Sequence, residues 1–308
     1  MLQIFYKGVS NHKIKEQTDI KKGSWIHCSS PTNADISLIQ QYLPLTEGDI
    51  LDALDSFEIP RVEKKGNTTI LYLRAPDYID TKGYTVSETF SVILSPSFTL
   101  TIANPESKII SQLKESYSNF TTTQQSKFLF FILQLLTKDY TRQLLILNNK
   151  VQEKFRSLKR VESTDITQLL AYDQLINLHL SVLNPLTRII EILMQGTMVK
   201  LYAEDGEFLD DVLTDIQQAL TMGEVTKKLI VSTRDSYQII FTNELNKKVQ
   251  FLAGVTIILT IPTVVASLWG MNVSVPYAEH PMAFAAILAG ALIFSIIVYG
   301  LLVLRRWI

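Results

Sequence analysis

Cysteine is almost absent from this sequence, since Cys28 is the only one among 308 residues. A single cysteine excludes a disulfide bond or a cysteine-based zinc site within one chain, and it is typical of a protein in a reducing compartment. An excess of charge of either sign is also missing, because 29 basic and 30 acidic side chains give a formal net charge of −1. The densest basic run, residues 150–160, is interpreted as the solvated face of a helix. We therefore expect no nucleic-acid partner.

The sequence also lacks the motifs of catalysis and of energy coupling. It contains no glycine-rich phosphate loop of the Walker type and no HExxH zinc motif. The four histidines, His12, His27, His179 and His280, are isolated from further ligands at metal-binding spacing. No nucleophile and base can be argued to lie together, so we predict that the protein is not an enzyme.

Charged residues disappear from two long stretches near the end of the chain. Phe251 to Trp269 and Met282 to Leu304 contain none, and each is close to the ~20 residues that cross a bilayer as a helix. Lys247 and Lys248 precede the first stretch, residues 305 and 306 after the second are both arginine, and the connecting loop has no basic residue. The positive-inside rule then places both termini in the cytoplasm. The sequence predicts a multi-pass protein of the cell (plasma or inner) membrane.

The rest of the chain divides into a mixed region and a helical region. Short apolar runs predict strands at residues 2–6, 25–28, 68–73, 90–94 and 98–102, with helices at 35–42 and 47–54 between them. Long helices are predicted at 124–160 and 166–194, the second of them interrupted or kinked at Pro185. Glu207 to Trp269 contains proline only at Pro262, which predicts one continuous helix that enters the membrane.

All polar residues of the first charge-free stretch fall on one helical face. Thr256, Thr260, Thr263 and Ser267 recur at steps of four, three and four, and Asn246 and Leu252 flank that face. Two interpretations stay open: the face lines a pore, or the hydroxyls bond to their own helix or to other helices. A pore requires several copies of the chain, because one such helix cannot enclose a channel.

The first span ends at Gly270, Met271 and Asn272. The carbonyl groups at a helix C-terminus carry partial negative charge, and a ring of Asn272 amides offers neutral oxygen acceptors to a hydrated cation. Met271 either shapes this turn or is an apolar residue at the interface. Glu279, the only charge in the outer loop, either attracts cations or is a solvated loop acid.

These residues resemble the CorA family of magnesium channels, within the superfamily of two-span proteins that carry a Gly-x-Asn motif. The resemblance rests on Gly270-Met271-Asn272 after Pro262 to Trp269, and it extends to Ile59 to Glu63, to Thr69 to Arg74 and to Ser87 to Leu94. It implies an α+β membrane protein: an N-terminal αβα cytoplasmic domain, a long helical stalk, two C-terminal transmembrane helices and a homopentameric funnel.

The resemblance also implies roles for individual residues. Asn272 would be the selectivity filter, Asn246, Leu252 and Thr263 would line the pore with Leu252 in a hydrophobic gate, and Thr260 departs from the methionine that is common at its position. Mg²⁺ would be both the transported ion and a cytoplasmic regulator, held between subunits by Asp80 and Asp211. Asp211 is otherwise interpreted as part of an ordinary acidic helix start.

The resulting prediction is a passive Mg²⁺ uptake channel, with Co²⁺ and Ni²⁺ as further candidate ions. Its partners would be the lipid bilayer, divalent cations and other copies of the chain. The alternatives are a proton-coupled zinc transporter of the same superfamily and a membrane-anchored oligomeric scaffold. The predicted segments are an α/β domain (1–104), a helical region (105–206), a stalk helix (207–250), a first span (251–269), an outer loop (270–281), a second span (282–304) and a basic tail (305–308).

Overall fold

The computed structural model describes residues 2–9, 14–56, 58–79, 85–105, 107–115, 120–156, 163–272, 280–305 and 307. These residues form two compact units. The first contains a sheet, five helices and the N-terminal part of a sixth helix up to Thr233; the second contains the rest of that helix from Arg234 and the last helix.

A seven-stranded mixed sheet forms the middle of the first unit. Its strands are β1 (Leu2–Tyr6), β2 (Lys15–Gln17), β3 (Ser24–Ser29), β4 (Arg61–Lys65), β5 (Thr68–Ile79), β6 (Thr85–Leu94) and β7 (Phe98–Ala103), in the order β2-β1-β3-β7-β6-β5-β4. Neighbouring strands are antiparallel except β3 and β7, which are parallel. The predicted strands are confirmed; β2 and β4 were not predicted.

Seven helices complete the fold of the described residues. They are α1 (Asn33–Tyr42), α2 (Glu47–Asp52), α3 (Lys108–Glu115), α4 (Gln125–Arg156), α5 (Ser163–Met194), α6 (Ala203–Trp269) and α7 (Ala283–Leu304). The predicted continuous helix through Pro262 is confirmed by α6. An interruption or a kink was predicted at Pro185; the interruption is wrong, because α5 runs through this residue, and the kink stays a prediction. Its many buried apolar side chains offset the one backbone hydrogen bond that a proline removes.

Both faces of the sheet are covered, which makes the first unit a three-layer αβα structure. Alternate residues of β5 point to opposite faces: Ile70 and Tyr72 join one apolar cluster, whereas Leu71 and Leu73 join the other. The first cluster is covered by α1 and α2, and the second by α3, α4, α5 and the first part of α6. The predicted αβα class is therefore confirmed.

Capping and aromatic contacts fix where the helices begin. Thr46 and Asp49 form a reciprocal capping box at the start of α2. At the start of α4, the ring centroid of Phe128 lies 5.3 Å from that of Trp25 on β3. These contacts attach the first turns of the helical layer to the sheet.

The first part of α6 packs into the helical layer through a narrow stripe. Leu209, Val212, Ile216 and Ala219 follow steps of three and four residues and are all buried. Further along, a Cβ atom built on Gly223 would lie 2.7 Å from Leu180 Cδ2 of α5. Glycine at this position therefore allows α6 to approach α5 closely.

A branched side chain at Gly223 should destabilise the protein. We expect Gly223→Val to lower the free energy of unfolding by about 1–3 kcal/mol, because the added atoms overlap with Leu180. Gly206, also in α6, is the matched control, since a Cβ atom there meets nothing within 4 Å. Thermal unfolding of the full chain in detergent should show a lower midpoint for Gly223→Val and no loss for Gly206→Ala; equal midpoints would contradict the packing.

His27 is buried on β3 in a hydrogen-bonded row. The indole N–H of Trp25 donates to Thr101 Oγ1 at 2.9 Å, and the same oxygen lies 3.1 Å from His27 Nδ1. Burial, followed by the positive charge of Lys114, lowers the pKa of His27 to about 4. The Thr101 hydroxyl donates to the carbonyl of Ile26 at 3.5 Å, and the neutral, buried ring of His27 beside it is held as a structural residue.

This lowered pKa predicts a dependence of stability on pH. Between the unfolded pKa of 6.5 and the folded value of about 4, the unfolded chain binds a proton that the folded chain does not. Stability should therefore fall as the pH falls through that window. The thermal midpoint measured at about pH 7.5 and at about pH 5 should drop less for His27→Gln than for the wild type. An identical drop would show that His27 does not contribute.

Candidate functional site

The second unit consists largely of two helices that are long and apolar enough to cross a membrane. The apolar windows of α6 and α7 have mean hydropathy values of 2.2 and 2.7, and only 6% and 11% of their residues are buried. A core helix of a soluble protein would be mostly buried, so these two helices need another apolar environment. The first predicted span lies within α6, and the second begins at Met282, one residue before α7.

The protected residues of the two spans fall on one side of each helix. On α7, Ala291 and Ser295 are buried, and they are four residues apart. On α6, Gly254 is buried, and Ile258 and Val265 are partly buried on the same side of the helix. Both segments belong to the second compact unit.

The polar residues of α6 lie on the opposite side. Four hydroxyl residues are all exposed: Thr256, Thr260, Thr263 and Ser267. At 100° per residue, the centre of this face lies about 180° around the helix axis from the centre of the protected side. Leu252 is 65% exposed and Asn246 is also exposed, flanking the same face. The six predicted pore-lining residues are thus brought to one accessible side of one helix. The small residue Gly254 was the signal for the protected side, and the sequence analysis did not use it.

The threonine hydroxyls make local hydrogen bonds. Thr256 Oγ1 donates to the carbonyl of Leu252 at 2.8 Å, Thr260 to that of Thr256 at 2.7 Å, and Thr263 to that of Leu259 at 2.9 Å. The hydroxyl protons are therefore satisfied by the helix itself, and the oxygen atoms remain on the exposed side.

The predicted filter residues follow the last turn of α6. The N–H of Gly270 donates to the carbonyl of Ala266 at 3.0 Å, and a Cβ atom at Gly270 would approach that carbonyl oxygen to 3.3 Å. Glycine thus fits this tight position. Met271 is 52% exposed and Asn272 is exposed. Glu279 lies outside the described residues.

The structure describes only one residue of the predicted regulatory pair. Asp80 lies outside the described residues, and Asp211 is exposed on α6. Nearby acids have local roles: Asp205 accepts the N–H of Tyr202 at 2.9 Å, and Glu204 lies 3.4 Å from Lys127. Among the described residues, no group of three His, Cys, Asp or Glu side chains is placed to hold a metal ion.

Fold and site together define a two-span membrane protein with a large αβα domain before its spans. The profile of the family described as CorA-like Mg²⁺ transporter protein matches residues 21–306. The chain therefore belongs to the CorA-like Mg²⁺ transporter family. The members of this family are transport proteins rather than enzymes.

Individual relatives agree with this assignment. The cobalt/magnesium transport protein CorA of Methanocaldococcus jannaschii is 24% identical over 299 residues, which cover 92% of this chain and 91% of the relative. The complete structure of the CorA magnesium transporter from that organism matches with a TM-score of 0.82 at 20% identity, over 100% of this chain and 99% of the other. The ZntB cytoplasmic domain from Vibrio parahaemolyticus matches with a TM-score of 0.63 at 11% identity, over 79% and 99%.

Proposed function

We propose that several copies of this chain form a passive channel for Mg²⁺, with Co²⁺ and Ni²⁺ as further ions, around the hydroxyl face of α6. The observation that carries this proposal is the position of that face. All the polar side chains of the α6 span are exposed on the side opposite the partly buried residues of that span, and they lead to Asn272. A ring of copies would turn this face toward water and α7 toward lipid.

The number of copies in the proposed ring is five, by resemblance to the family. Exposure of Leu245, Val249 and Leu252 on the same side supports assembly, because such side chains are covered by neighbouring copies rather than left in water. The orientation follows from the basic residues: Lys247 and Lys248 before the first span and Arg305 after the second place both termini in the cytoplasm.

In this assembly, Asn272 would select the ion at the outer mouth. Mg²⁺ gives up its water reluctantly, and amide oxygens can accept hydrogen bonds from that water without binding the metal too tightly to release it. Glu279, in the loop that follows, would raise the local concentration of cations. At ~100 mV a doubly charged ion gains about 4.6 kcal/mol on moving inward, so uptake requires no other energy source.

Cytoplasmic Mg²⁺ would close the channel by binding between subunits. Asp80 and Asp211 are the proposed ligands, one from each of two neighbouring chains. Exposure of Asp211 on α6 supports this role, because an intersubunit ligand must be accessible in the single chain. Carboxylate oxygens are suitable ligands for Mg²⁺.

The second candidate is a zinc transporter, and the likeness to the ZntB cytoplasmic domain favours keeping it. Met271 favours the magnesium channel over the zinc transporter, since zinc-transporting relatives commonly vary this position. The third candidate is a membrane-anchored scaffold, for which Asn272 would have no special role. Influx measured with a panel of divalent metals, with and without a pH gradient, separates the three.

The filter role of Asn272 predicts a loss of transport. In liposomes containing the purified protein, Asn272→Ala should lower Mg²⁺ influx at least about ten-fold, because the amide acceptors at the mouth are lost. The matched control is Asn243→Ala, which removes an exposed amide of α6 outside the proposed path. Equal influx for wild type and Asn272→Ala would remove the filter role, and absence of influx in the wild type would remove the channel.

The regulatory role of the two carboxylates predicts a loss of inhibition. A chain with both Asp80→Ala and Asp211→Ala should continue to conduct at internal Mg²⁺ concentrations that close the wild type. The reason is that the two carboxylates that bind the inhibitory Mg²⁺ have been removed. Glu224→Ala, another exposed acid on α6, serves as the control and should close normally. The measurement is influx into liposomes preloaded with increasing Mg²⁺. Unchanged inhibition in the double variant would contradict the proposal.

A further inference from the structure

An apolar cavity opens between α1 and the sheet, beside β1. Its volume is about 100 Å³. Its floor includes Ile26 of β3 and Leu100 of β7, which are only 5% and 1% exposed. Ile20, Leu38 and Tyr42 also line it, and these three side chains are 46%, 41% and 63% exposed. The cavity is therefore closed at its base and open to solvent at a mouth formed by these exposed side chains.

The lining of this cavity selects for hydrocarbon. Every described residue that lines it is aliphatic or aromatic, and none of them is charged. Water gains no hydrogen bonds from such walls, so cavities of this kind stay dry and bind apolar molecules. An apolar cavity of about 150 Å³ holds the six carbon atoms of benzene, so 100 Å³ has room for about four carbon atoms.

The cavity is held open by the elements around it. Strand β1, which contributes Leu2 and Ile4 to the wall, is paired with β2 on one side and with β3 on the other. Helix α1, on the opposite wall, begins with a reciprocal capping box between Thr32 and Asp35. A ligand would therefore enter a preformed site and would not have to order the chain first.

Positive charge follows directly after one residue of the mouth. Lys21 and Lys22 come immediately after Ile20 in the chain, and both are exposed. The backbone at this point is fixed, because the N–H of Lys21 donates to Ser24 Oγ at 3.0 Å. The long stems of the two lysines allow their ammonium groups to lie at the rim of the cavity while they stay in water.

Strand β2 adds a third lysine on the same side of the sheet. Lys15 is paired with Tyr6 of β1, and strand alternation places both on the face of Ile4, which lines the cavity. The neighbouring Glu16 points to the opposite face. Asp19 is the other acid in residues 15–22, so three lysines outnumber the acids beside the cavity. This excess of positive charge favours an anionic group at the mouth.

We propose that this cavity binds a short aliphatic carboxylate, with about four carbon atoms inside the cavity and the carboxylate outside, beside Lys21 and Lys22. The apolar walls account for the chain, and the lysines account for the anionic head. The site lies apart from Asp211 and from both spans, so it does not depend on the proposed channel. It gives the αβα unit a second class of ligand, an organic anion, in addition to the proposed regulatory cation.

The length of the cavity predicts how affinity depends on the length of the chain. Each methylene group that leaves water should strengthen binding about four-fold. Hexanoate should therefore bind about ten-fold or more tightly than butyrate, because its additional carbons are still inside the cavity. Octanoate should gain no more than about two-fold over hexanoate, since its last carbons find no further room. A flat apolar surface would instead give a steady rise along the series.

The measurement is ¹⁹F NMR of 6,6,6-trifluorohexanoate added to the full chain in lipid nanodiscs, with empty nanodiscs as the blank. Broadening of the fluorine signal beyond the blank reports binding, and unlabelled butyrate, hexanoate and octanoate compete at equal free concentrations. The series uses the wild-type chain, so it does not depend on how a variant folds. No broadening beyond the blank, or a steady rise to octanoate, would overturn the proposal.

Variants test the chain site and the head site separately. Leu38→Trp places a larger side chain at the mouth and should weaken binding of the probe at least about ten-fold, whereas Leu51→Trp, at a 50% exposed position of α2 outside the lining, should leave it unchanged. Lys21→Gln together with Lys22→Gln should weaken hexanoate about two- to ten-fold and leave hexanol unchanged. Equal binding by the Leu38→Trp and Leu51→Trp variants, or equal effects of the lysine changes on hexanoate and hexanol, would contradict the assignment.

Discussion

The structure depends on one constraint: a polar group placed in hydrocarbon must find its partner within the protein. The α6 span satisfies this constraint for its backbone and for its side chains. Its backbone is helical to Trp269 despite Pro262, and its threonine hydroxyls donate to carbonyls of the same helix. Because the donors are satisfied locally, the oxygen atoms are available on one exposed side of the helix. A channel lining and a stable membrane helix are therefore compatible in the same residues.

The αβα unit holds the beginning of α6 in place. The sheet is covered on both faces, and the buried stripe of α6 from Leu209 to Ala219 belongs to the larger of the two apolar clusters. Asn148 of α4 donates to Thr226 of α6 at 2.9 Å, which fixes the register of the two helices. An ion bound at the surface of this unit would thus act on a helix that continues into the span, which is what the proposed regulation through Asp211 requires.

Much of the fold could be predicted because its signals are local. A short apolar run defines β5, the Thr46–Asp49 pair defines the start of α2, and the charge-free stretches define both spans. The strand β4 was missed because Arg61–Lys65 is polar and half-exposed. Its pairing with β5 around a left-handed Gly66 supplies the stability that its composition does not. An interruption or a kink was predicted at Pro185 from a local rule, and that rule ignores the burial that keeps α5 continuous.

The sequence by itself determined the two spans and the hydroxyl face, since these follow from composition and helical spacing along one segment, and its Gly270-Met271-Asn272 motif carried the resemblance to the family. The tertiary structure decided which side of the α6 span is partly buried and which is exposed, and it showed that the threonine hydroxyl protons are donated to carbonyls of the same helix. It also brought strands distant in sequence together, such as β3 beside β7. The physical reason is that periodicity orders the residues around a helix axis, whereas only contacts between elements decide which of those directions is covered.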